Sequence, residues 1–470
     1  MKIYIIRHGQ TQYNLLGRLQ GRLDIPLNEN GRALAHVAGQ SLKDVHFDAV
    51  ISSPLRRALE TAQIVLSENA STNCEIEIEP AIQEIDFGAW EGWICKGDSC
   101  EVPKDEFGLF MTDTFHYIPP QGGETAQEIC ERTGAFLKRL MAREDLQDAN
   151  VLVSTHGCAT RAMLHSVYKD PEDFWHGKVP PNCSVNVVEV SNGRAFLIAP
   201  DVLPGQPAED IYARTRLLIG TEGLLRLRDA RVAVFGLGGV GGYAVEALAR
   251  AGVGTLHLVD HDTVSSTNLN RQILATTDRI GTPKTEAARE RVRLIAPDTK
   301  VYTYEKFFLP DTEGDFPFDE FDYIVDAIDT VSGKIRLAQI ASERGIPMIS
   351  AMGAGNKRSA QGFKVADISE TRICPLARVM RRELKKRGVD HLKVIYSEET
   401  AMRPMYPEGE PEEMGERTAE VDLAAENTAL HAGTEKKPRK KIAPGSLSYV
   451  PGIVGLMLAG EVINNLAGEG

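Results

Sequence analysis

The chain has 470 residues, of which 42% are hydrophobic and 25% charged. These values are ordinary for a soluble globular protein, and the length allows two or three domains. The net charge of −13 argues against a broad non-specific nucleic-acid surface, although a local basic patch can still contact RNA.

Residues 1–200 alternate short apolar strands with helical patterns. This alternation predicts a mainly parallel sheet with helices on both faces, closed by a hairpin around residues 191–193. The predicted strands are 2–6, 49–54, 151–155, 186–190 and 195–198, and the predicted helices are 31–42 and 56–66.

A phosphohistidine site is indicated where these strands end. Arg7 and His8 follow the first predicted strand and His156 follows the third, and doubly wound folds gather their sites at such strand ends. A histidine that attacks phosphorus needs cations for the phosphoryl oxygens and an acid for the leaving group. Arg7 and Arg57 can supply the cations, His156 a further donor and Glu84 the proton. The Arg-His-Gly triplet alone also occurs frequently by chance, so the prediction of a phosphohistidine site depends on the surrounding residues.

Those surrounding residues resemble the histidine phosphatase superfamily, the phosphoglycerate-mutase-like enzymes, over roughly residues 1–200. The resemblance implies a phosphoglycerate-mutase-like αβα fold, His8 as the phosphorylated nucleophile and Glu84 as the proton donor. It implies a phosphate pocket formed by Arg7, Asn14, Arg57 and His156. The residues and segments that carry the resemblance are 7–14, 19–21, 24–27, Gly31, 52–58, Glu84, 87–92, 121–124 and 156–157.

The same resemblance implies a small phosphomonoester as substrate and no cofactor. The segment between Trp93 and Pro120 is short for the glycolytic mutases, which favours hydrolysis over mutase activity. The substrate-facing stretch 94–117 matches no pattern from which a substrate can be predicted.

A second α/β domain is predicted beyond a Pro- and Gly-containing linker at 204–210. The predicted boundaries are 1–203 for the first domain and 211–470 for the second, with a mobile, charge-segregated loop at 407–441. The strands predicted in the second domain are 231–235, 255–260, 323–328 and 347–350, and the helix that follows its first strand is 243–251.

A nucleotide site is indicated after the first strand of this domain. Gly236, Gly238, Gly239 and Gly241 form a glycine loop before a helix, and Asp260 ends the next strand. Alone, this pattern most often indicates a nicotinamide or flavin dehydrogenase. The residues that follow favour ATP, because they place cations and amides for a triphosphate and a carboxylate for Mg²⁺. They are Asn268, Asn270, Arg271, Gln272, Lys284 and Asp329.

Together with Arg214, these residues resemble the adenylating enzymes related to ubiquitin-activating E1 (the E1/ThiF type) over about residues 211–470. The resemblance implies a Rossmann-like αβα fold that uses ATP and Mg²⁺. It implies ribose binding by Asp260, Mg²⁺ binding by Asp329 and phosphate binding by Asn268, Arg271 and Lys284. Arg271 and Lys284 are also expected to be catalytic, and Gln272 to bind the cofactor. The resemblance also implies a homodimer in which Arg214 reaches the partner's site.

Within that superfamily the chain is most similar to the tRNA threonylcarbamoyladenosine dehydratases. The segments that carry this similarity are 325–329, 353–355, 367–371, 374–377 and 444–451. The implied reaction adenylates the threonyl carboxylate of N6-threonylcarbamoyladenosine-37 in tRNA, and internal attack then closes a ring and releases AMP. A sulfur-relay protein is a further implied partner.

The main alternative is an activator of a small sulfur-carrier protein fused to a phosphoglycerate-mutase-type enzyme. Activators of that kind usually carry two zinc-binding CxxC pairs, whereas this half contains only Cys374. Cys374 precedes Pro375, which favours a helix-entry position over a thioester nucleophile. The following helix carries many cations, which fit either a solvated face or an anticodon-arm contact: Arg378, Arg381, Arg382, Lys385, Lys386 and Arg387.

The scattered set of seven cysteines predicts a reduced, cytoplasmic compartment. The short apolar run at the N-terminus is not typical of a signal peptide, because it ends at Arg7. The apolar stretch 453–466 contains Glu461, which favours a packed C-terminal helix over a membrane span.

Overall fold

The computed structural model describes residues 1–72, 74–97, 99–403, 405 and 444–468. The chain forms two compact units, Met1–Arg214 and Thr215–Gly470. The loop predicted at 407–441 lies outside the described residues.

The first unit contains a six-stranded sheet in the order β3-β2-β4-β1-β5-β6. The strands β3, β2, β4 and β1 run parallel, and β5 and β6 form the predicted antiparallel hairpin. Its strands and α-helices are β1 (Lys2–Arg7), α1 (Gln12–Leu16), α2 (Glu29–Ser41), β2 (Ala49–Ser52), α3 (Arg56–Ser67), β3 (Ile76–Ile78), α4 (Lys104–Thr112), α5 (Ala126–Met141), β4 (Asn150–Thr155), α6 (Gly157–Leu164), β5 (Val185–Ser191) and β6 (Arg194–Val202).

Successive residues of a strand point to opposite faces of the sheet, and consecutive residues of β1, β2 and β4 are buried. Both faces of the sheet are therefore covered by helices. Val153 of β4 packs in a core with α5 and α6. The next residue, Ser154, donates its hydroxyl proton to the Ala58 carbonyl of α3 at 2.8 Å. The predicted αβα arrangement is confirmed.

The register of the central strands brings the sequence motifs together. Arg7 at the end of β1 lies beside Thr155 of β4, and Ser52 of β2 lies beside Ser154. The residues that follow these three strands therefore meet at one edge of the sheet.

The second unit contains a seven-stranded sheet in the order β12-β13-β11-β10-β7-β8-β9, in which only β12 is antiparallel to its neighbour. Its strands and α-helices are α7 (Ala213–Asp229), β7 (Arg231–Phe235), α8 (Gly241–Ala251), β8 (Thr255–Val259), α9 (Lys284–Ile295), β9 (Lys300–Tyr304), β10 (Tyr323–Asp326), α10 (Val331–Arg344), β11 (Met348–Ala351), β12 (Phe363–Asp367), α11 (Pro375–Lys385), β13 (Lys393–Ser397) and α12 (Tyr449–Ala467).

Two hydrophobic cores lie on opposite faces of this sheet. Val232 and Val234 of β7 pack with α8, α9 and α12, whereas Ala233 and Phe235 pack with α10 and α11. The predicted three-layer αβα fold is confirmed here as well.

The crevice of the sheet lies beyond β7 and β10, where the strand order reverses. The glycine loop follows β7 at this point. Gly236 has φ +88°, and a Cβ there would lie 2.6 Å from the Ala327 carbonyl oxygen. A Cβ on Gly241 would lie 1.7 Å from the Gly236 carbonyl oxygen, so only glycine allows this approach of loop, helix and neighbouring strand.

Among the described residues, α12 is the helix that is long and apolar enough to cross a membrane by length and composition. A buried core helix meets the same criterion. Val454 and Leu458 of α12 are fully buried in the core shared with α8, and a Cβ on Gly455 would lie 2.2 Å from the Val240 carbonyl oxygen. The apolar face of α12 thus packs against the sheet, as the sequence predicts.

Candidate active sites

His8 lies directly after β1 and is 2% exposed. Its backbone amide donates to the Thr155 carbonyl at 2.9 Å, which fixes the residue to β4. Its ring Nδ1 lies 2.7 Å from the Gly9 carbonyl oxygen. Because a carbonyl only accepts, Nδ1 carries the proton and Nε2 has the free lone pair. Burial, followed by the charges of Arg57 and Arg7, lowers the pKa of His8 well below its usual value. His8 is therefore neutral at pH 7, with a nucleophilic nitrogen.

Two buried guanidinium groups accompany His8. Arg57 is fully buried, and its two terminal nitrogens donate to the carbonyls of Leu23 and Gly21 at 2.7 Å each. Burial lowers the pKa of Arg57 to about 10, so the group stays charged at neutral pH. Arg7 donates to the Pro180 carbonyl. The Nε atoms of both arginines are buried and have no hydrogen-bond partner among the described residues.

His156 follows β4 and faces His8, with 5.2 Å between the ring centroids. Its Nε2 lies 2.8 Å from the Ser53 hydroxyl, whereas its buried Nδ1 has no partner within the described part of the chain. If Ser53 donates to Nε2, Nδ1 is protonated and can donate to an anion. Burial lowers the pKa of His156 well below its usual value, so this ring is also neutral at pH 7.

Glu84 lies at the N-terminus of α6. Its Oε1 accepts from the amides of Ile85 at 3.1 Å and Ala159 at 3.0 Å, and its Oε2 accepts from Cys158 at 3.2 Å. This carboxyl is consequently fixed by three backbone donors, and it lines the same cavity as His8.

Asn14 completes the predicted phosphate pocket. Its Oδ1 accepts from the Thr11 amide at 3.1 Å, which caps α1 and leaves its amide protons available. The structure thus brings all six predicted residues of this site to one cavity or its immediate wall: Arg7, His8, Asn14, Arg57, Glu84 and His156.

Three supporting residues are not predicted from the sequence. Ser53 orients His156, and it lies inside the motif segment 52–58. Arg132 of α5 donates to the carbonyls of Gln83 at 2.8 Å and Glu84 at 3.1 Å, which holds the acid's backbone. Asn182 donates to the His8 carbonyl at 3.0 Å. No spacing pattern in the sequence marks Arg132 or Asn182, because only the tertiary fold brings these two residues to the site.

The second site is a cleft of about 380 Å³ between the glycine loop and the residues after β8 and β10. Asp260 accepts from the Leu237 amide at 2.6 Å, which ties the end of β8 to the glycine loop. Lys284 is 5% exposed at the start of α9, and its Nζ lies 2.7 Å from Asp262 and 3.9 Å from Asp260. This cation is therefore paired with acidic side chains.

The remaining predicted residues line the same cleft. Asn268 is buried and its Oδ1 accepts from the Ser265 amide at 3.1 Å. Gln272 is also buried, and its Oε1 has no hydrogen-bond partner in the described residues. Arg271 donates to the Thr267 carbonyl at 2.9 Å. The cleft contains Gly236, Gly238, Gly239, Asp260, Asn268, Arg271, Gln272, Lys284 and Asp329, and Gly241 starts α8 directly behind it.

Two residues that were considered from the sequence as functional candidates, Arg214 and Cys374, lie outside this cleft. Arg214 is exposed near the start of α7 and is not among the described residues that line it. Cys374 is 4% exposed, caps α11 and packs in the hydrophobic core. The role of Arg214 across a dimer stays a prediction.

The two aspartates of the segment 325–329 have different environments. Asp329 is exposed in the cleft. Asp326 is fully buried, with the Lys334 ammonium at 3.0 Å and the Ser350 hydroxyl as partners. The structure thus separates a carboxylate that is open to a ligand from one that holds β10 to α10 and β11.

Comparison with family models assigns both halves. The model of the histidine phosphatase superfamily (branch 1) matches residues 3–202, and that of the ThiF family matches residues 212–470. The chain belongs to both families. It is a fusion of a histidine phosphatase domain with a ThiF-family domain.

The relatives divide in the same way. The ThiF half is similar to the tRNA threonylcarbamoyladenosine dehydratase of Bacillus subtilis, with 38% identity over 256 residues that cover 54% of this chain and 94% of that protein. The histidine phosphatase half is similar to phosphoserine phosphatase 1 of Hydrogenobacter thermophilus, with 31% identity over 199 residues that cover 42% of this chain and 90% of that protein. Among solved structures, the chain is similar to E. coli tRNA N6-threonylcarbamoyladenosine dehydratase in complex with ATP, with 28% identity and a TM-score of 0.45. The match covers 54% of this chain and 93% of the E. coli chain.

Proposed function

We propose that the chain is a bifunctional enzyme. The ThiF half cyclises N6-threonylcarbamoyladenosine-37 of tRNA with ATP, and the phosphatase half hydrolyses phosphomonoesters through a phosphohistidine. For the phosphatase, one observation carries the proposal: three buried nitrogens around a neutral His8 have no partner in the described part of the chain. They are Nε of Arg7, Nε of Arg57 and Nδ1 of His156. Buried donors are normally satisfied, so this set favours a bound anion.

In the phosphatase half, Nε2 of His8 attacks phosphorus while Arg7, Arg57 and His156 bind the phosphoryl oxygens. The protonated Glu84 carboxyl donates its proton to the departing oxygen as the P–O bond breaks. Water then attacks the phosphohistidine, with the Glu84 carboxylate taking one of its protons. His8 and phosphate are released. No metal takes part in these steps.

In the ThiF half, the threonyl carboxylate attacks the α-phosphorus of ATP and pyrophosphate leaves. Internal attack on the resulting acyl-adenylate closes the ring and releases AMP, with a net loss of one water. Lys284 exchanges its contact with Asp262 for the phosphates, and Arg271 and Asn268, which line the same cleft, also bind them. Asp260 binds the ribose. The similarity to the Bacillus subtilis dehydratase over nearly its whole length supports this reaction.

Asp329 fits a magnesium ligand. Its carboxylate is exposed in the cleft and has no partner among the residues that the structure describes, and Mg²⁺ is commonly held by one or two carboxylates plus substrate phosphates. Bound there, the ion would neutralise charge on the departing pyrophosphate.

A tRNA contact is proposed for the exposed side of α11. The structure reduces the number of available cations, because Arg382, Lys386 and Arg387 all pair with Glu383. Arg378 and Lys385 are exposed and have no partner in the described chain, so they are the cations proposed to contact phosphates.

A homodimer is proposed through α7. Leu217 and Leu218 are 85% and 86% exposed beside Arg214, and exposed apolar pairs of this kind are typical of contact surfaces. Arg214 lies on the same helix as these leucines, and we propose that it reaches the cleft of the second copy. We further propose that the chain acts in the cytoplasm, that a sulfur-relay protein assists it, and that residues 204–210 link domains 1–203 and 211–470.

The full-length chain tests both activities. With tRNA bearing threonylcarbamoyladenosine we expect ATP consumption, release of AMP and pyrophosphate, and loss of one water from the nucleoside by mass spectrometry. Pyrophosphate exchange only with a Gly-Gly-ended protein would instead identify a sulfur-carrier activator. For the phosphatase we expect turnover that survives EDTA and disappears in His8→Ala. Full activity in that variant would refute the phosphohistidine.

A further inference from the structure

The cavity at His8 extends far beyond the phosphate pocket. Its volume is about 560 Å³, within the range that binds drug-sized ligands, whereas a phosphoryl group consists only of phosphorus and three oxygens. Most of this cavity is therefore available to the leaving group of a substrate.

The wall of the additional space is aromatic and comes largely from α4, inside the stretch 94–117 from which no substrate could be predicted. Phe107 and Phe110 of α4 stack with ring centroids 5.5 Å apart, and Trp175 packs edge-on against Phe110 at 5.4 Å. The Trp175 indole donates to the Phe110 carbonyl at 2.8 Å, which fixes this wall. Phe87 and Met111 also line the cavity.

The rings of Phe107, Phe110 and Trp175 offer no partner to a hydroxylated substrate, because the one polar hydrogen among them, that of the Trp175 indole, is donated to Phe110. Gln20 is buried, and its Oε1 is already bonded to the Thr11 hydroxyl at 2.8 Å. Glu84 is the only carboxylate among the described lining residues. A sugar hydroxyl or an amino-acid ammonium placed against these rings would lose water without gaining a partner, which is costly.

We propose that the phosphatase half acts on phosphomonoesters whose leaving group is a bulky, uncharged aromatic or apolar alcohol. This inference rests on the proposed phosphatase function and names its substrate class. The phosphoryl group lies at His8 and the apolar group lies against Phe107, Phe110 and Trp175. Arg18, Lys96 and Lys104 also line the cavity, so a bisphosphorylated substrate is the competing possibility that the test must separate.

The test centres on ethyl phosphate and 2-phenylethyl phosphate, whose alcohols have nearly the same acidity, so that a difference in kcat/KM between them reports binding of the leaving group. The full-length chain is assayed with ethyl phosphate, 2-phenylethyl phosphate, phosphoserine and fructose 1,6-bisphosphate. We expect kcat/KM for 2-phenylethyl phosphate to exceed the value for ethyl phosphate by roughly 10–100-fold, the range in which a hydrophobic pocket discriminates between apolar groups. Equal values, or a preference for phosphoserine or the bisphosphate, would overturn the proposal.

A matched pair of variants on α4 localises the effect. Phe107→Asp places a charge in the apolar wall. It should reduce the ratio of kcat/KM for 2-phenylethyl phosphate to kcat/KM for ethyl phosphate to within about threefold of unity. Leu109→Asp is the control, because Leu109 is 40% exposed on the same helix and does not line the cavity. Its ratio should equal that of the unmodified chain. An unchanged ratio in Phe107→Asp would place the leaving group elsewhere and contradict the proposal.

Binding of non-hydrolysable phosphonates separates the substrate class from the catalytic proposal. Calorimetry should give at least tenfold tighter binding of 2-phenylethylphosphonate than of ethylphosphonate. If this preference holds while no ester is hydrolysed, the ligand class stands and the phosphatase function fails. If esters are hydrolysed without preference and the phosphonates bind equally, the function stands and the substrate class fails.

Discussion

Replacing Glu84 by Gln tests whether this residue donates the proton to the leaving group. The carboxyl accepts three backbone hydrogen bonds, two at Oε1 and one at Oε2. Gln keeps an oxygen for the first two but turns an amide group towards the Cys158 amide proton. One buried donor then loses its acceptor, which costs about 1–3 kcal/mol of folding free energy. Because domains are typically stable by about 5–15 kcal/mol, the variant should remain folded.

The catalytic loss depends on the leaving group. General acid catalysis contributes about 10²–10⁴-fold, or roughly 3–5.5 kcal/mol of the barrier. Ethyl phosphate needs this proton because an alkoxide leaves poorly. 4-Nitrophenolate leaves without it. We therefore expect Glu84→Gln to lose about 10²–10⁴-fold in kcat on ethyl phosphate and less than about tenfold on 4-nitrophenyl phosphate.

Steady-state kinetics on both esters, with urea unfolding of each variant, provide the assay. Glu79→Gln is the control, because Glu79 also accepts from a backbone amide, that of Ala81 at 2.9 Å, but does not line the cavity. It should retain both activities within about twofold. An equal loss on the two esters in Glu84→Gln would mean that Glu84 positions the phosphate or the fold and does not act as the acid.

Three further predictions concern both halves. Burial and the nearby arginines lower the pKa of His8 well below 6.5, so the nucleophile stays neutral as the pH falls through that value. The kcat/KM, corrected for substrate ionisation, should therefore stay level around pH 6.5. A decline with a midpoint near 6.5 would contradict the geometry. Arg214→Ala and Asp329→Ala should each abolish tRNA-dependent AMP release. Mixing the two variants should restore roughly a quarter of the activity, because about half of the dimers then contain one subunit of each kind and have one intact site of two. No recovery would exclude a site shared between subunits. Cys374→Ser should leave the tRNA reaction nearly unchanged, whereas Lys284→Ala should cost at least about 10²-fold; an inactive Cys374→Ser with a trappable thioester would refute the dehydratase.

The sequence by itself predicted the two αβα folds and the strands that carry the site residues. Apolar runs bounded by polar motifs specify β1, β4 and β7 locally, and the residues after such strands must lie at one edge of a parallel sheet. The glycine loop was predictable for a similar reason, since a close backbone approach such as that of Gly236 to Ala327 requires a residue without a Cβ. The structural role of α12 also followed from composition, through Glu461 within an apolar stretch.

Other features were decided only by the tertiary structure. Strand order and side-chain direction set the contacts of Ser53 with His156 and of Arg132 with the Glu84 backbone. They also set the buried nitrogens around His8 that have no partner among the residues described. Burial alone separates Asp326 from Asp329, three residues apart. The aromatic wall unites α4 with Trp175, more than sixty residues later in the chain. Local periodicity specifies which residues face a core, but not which distant residue faces them, because the packing of the whole domain sets that contact.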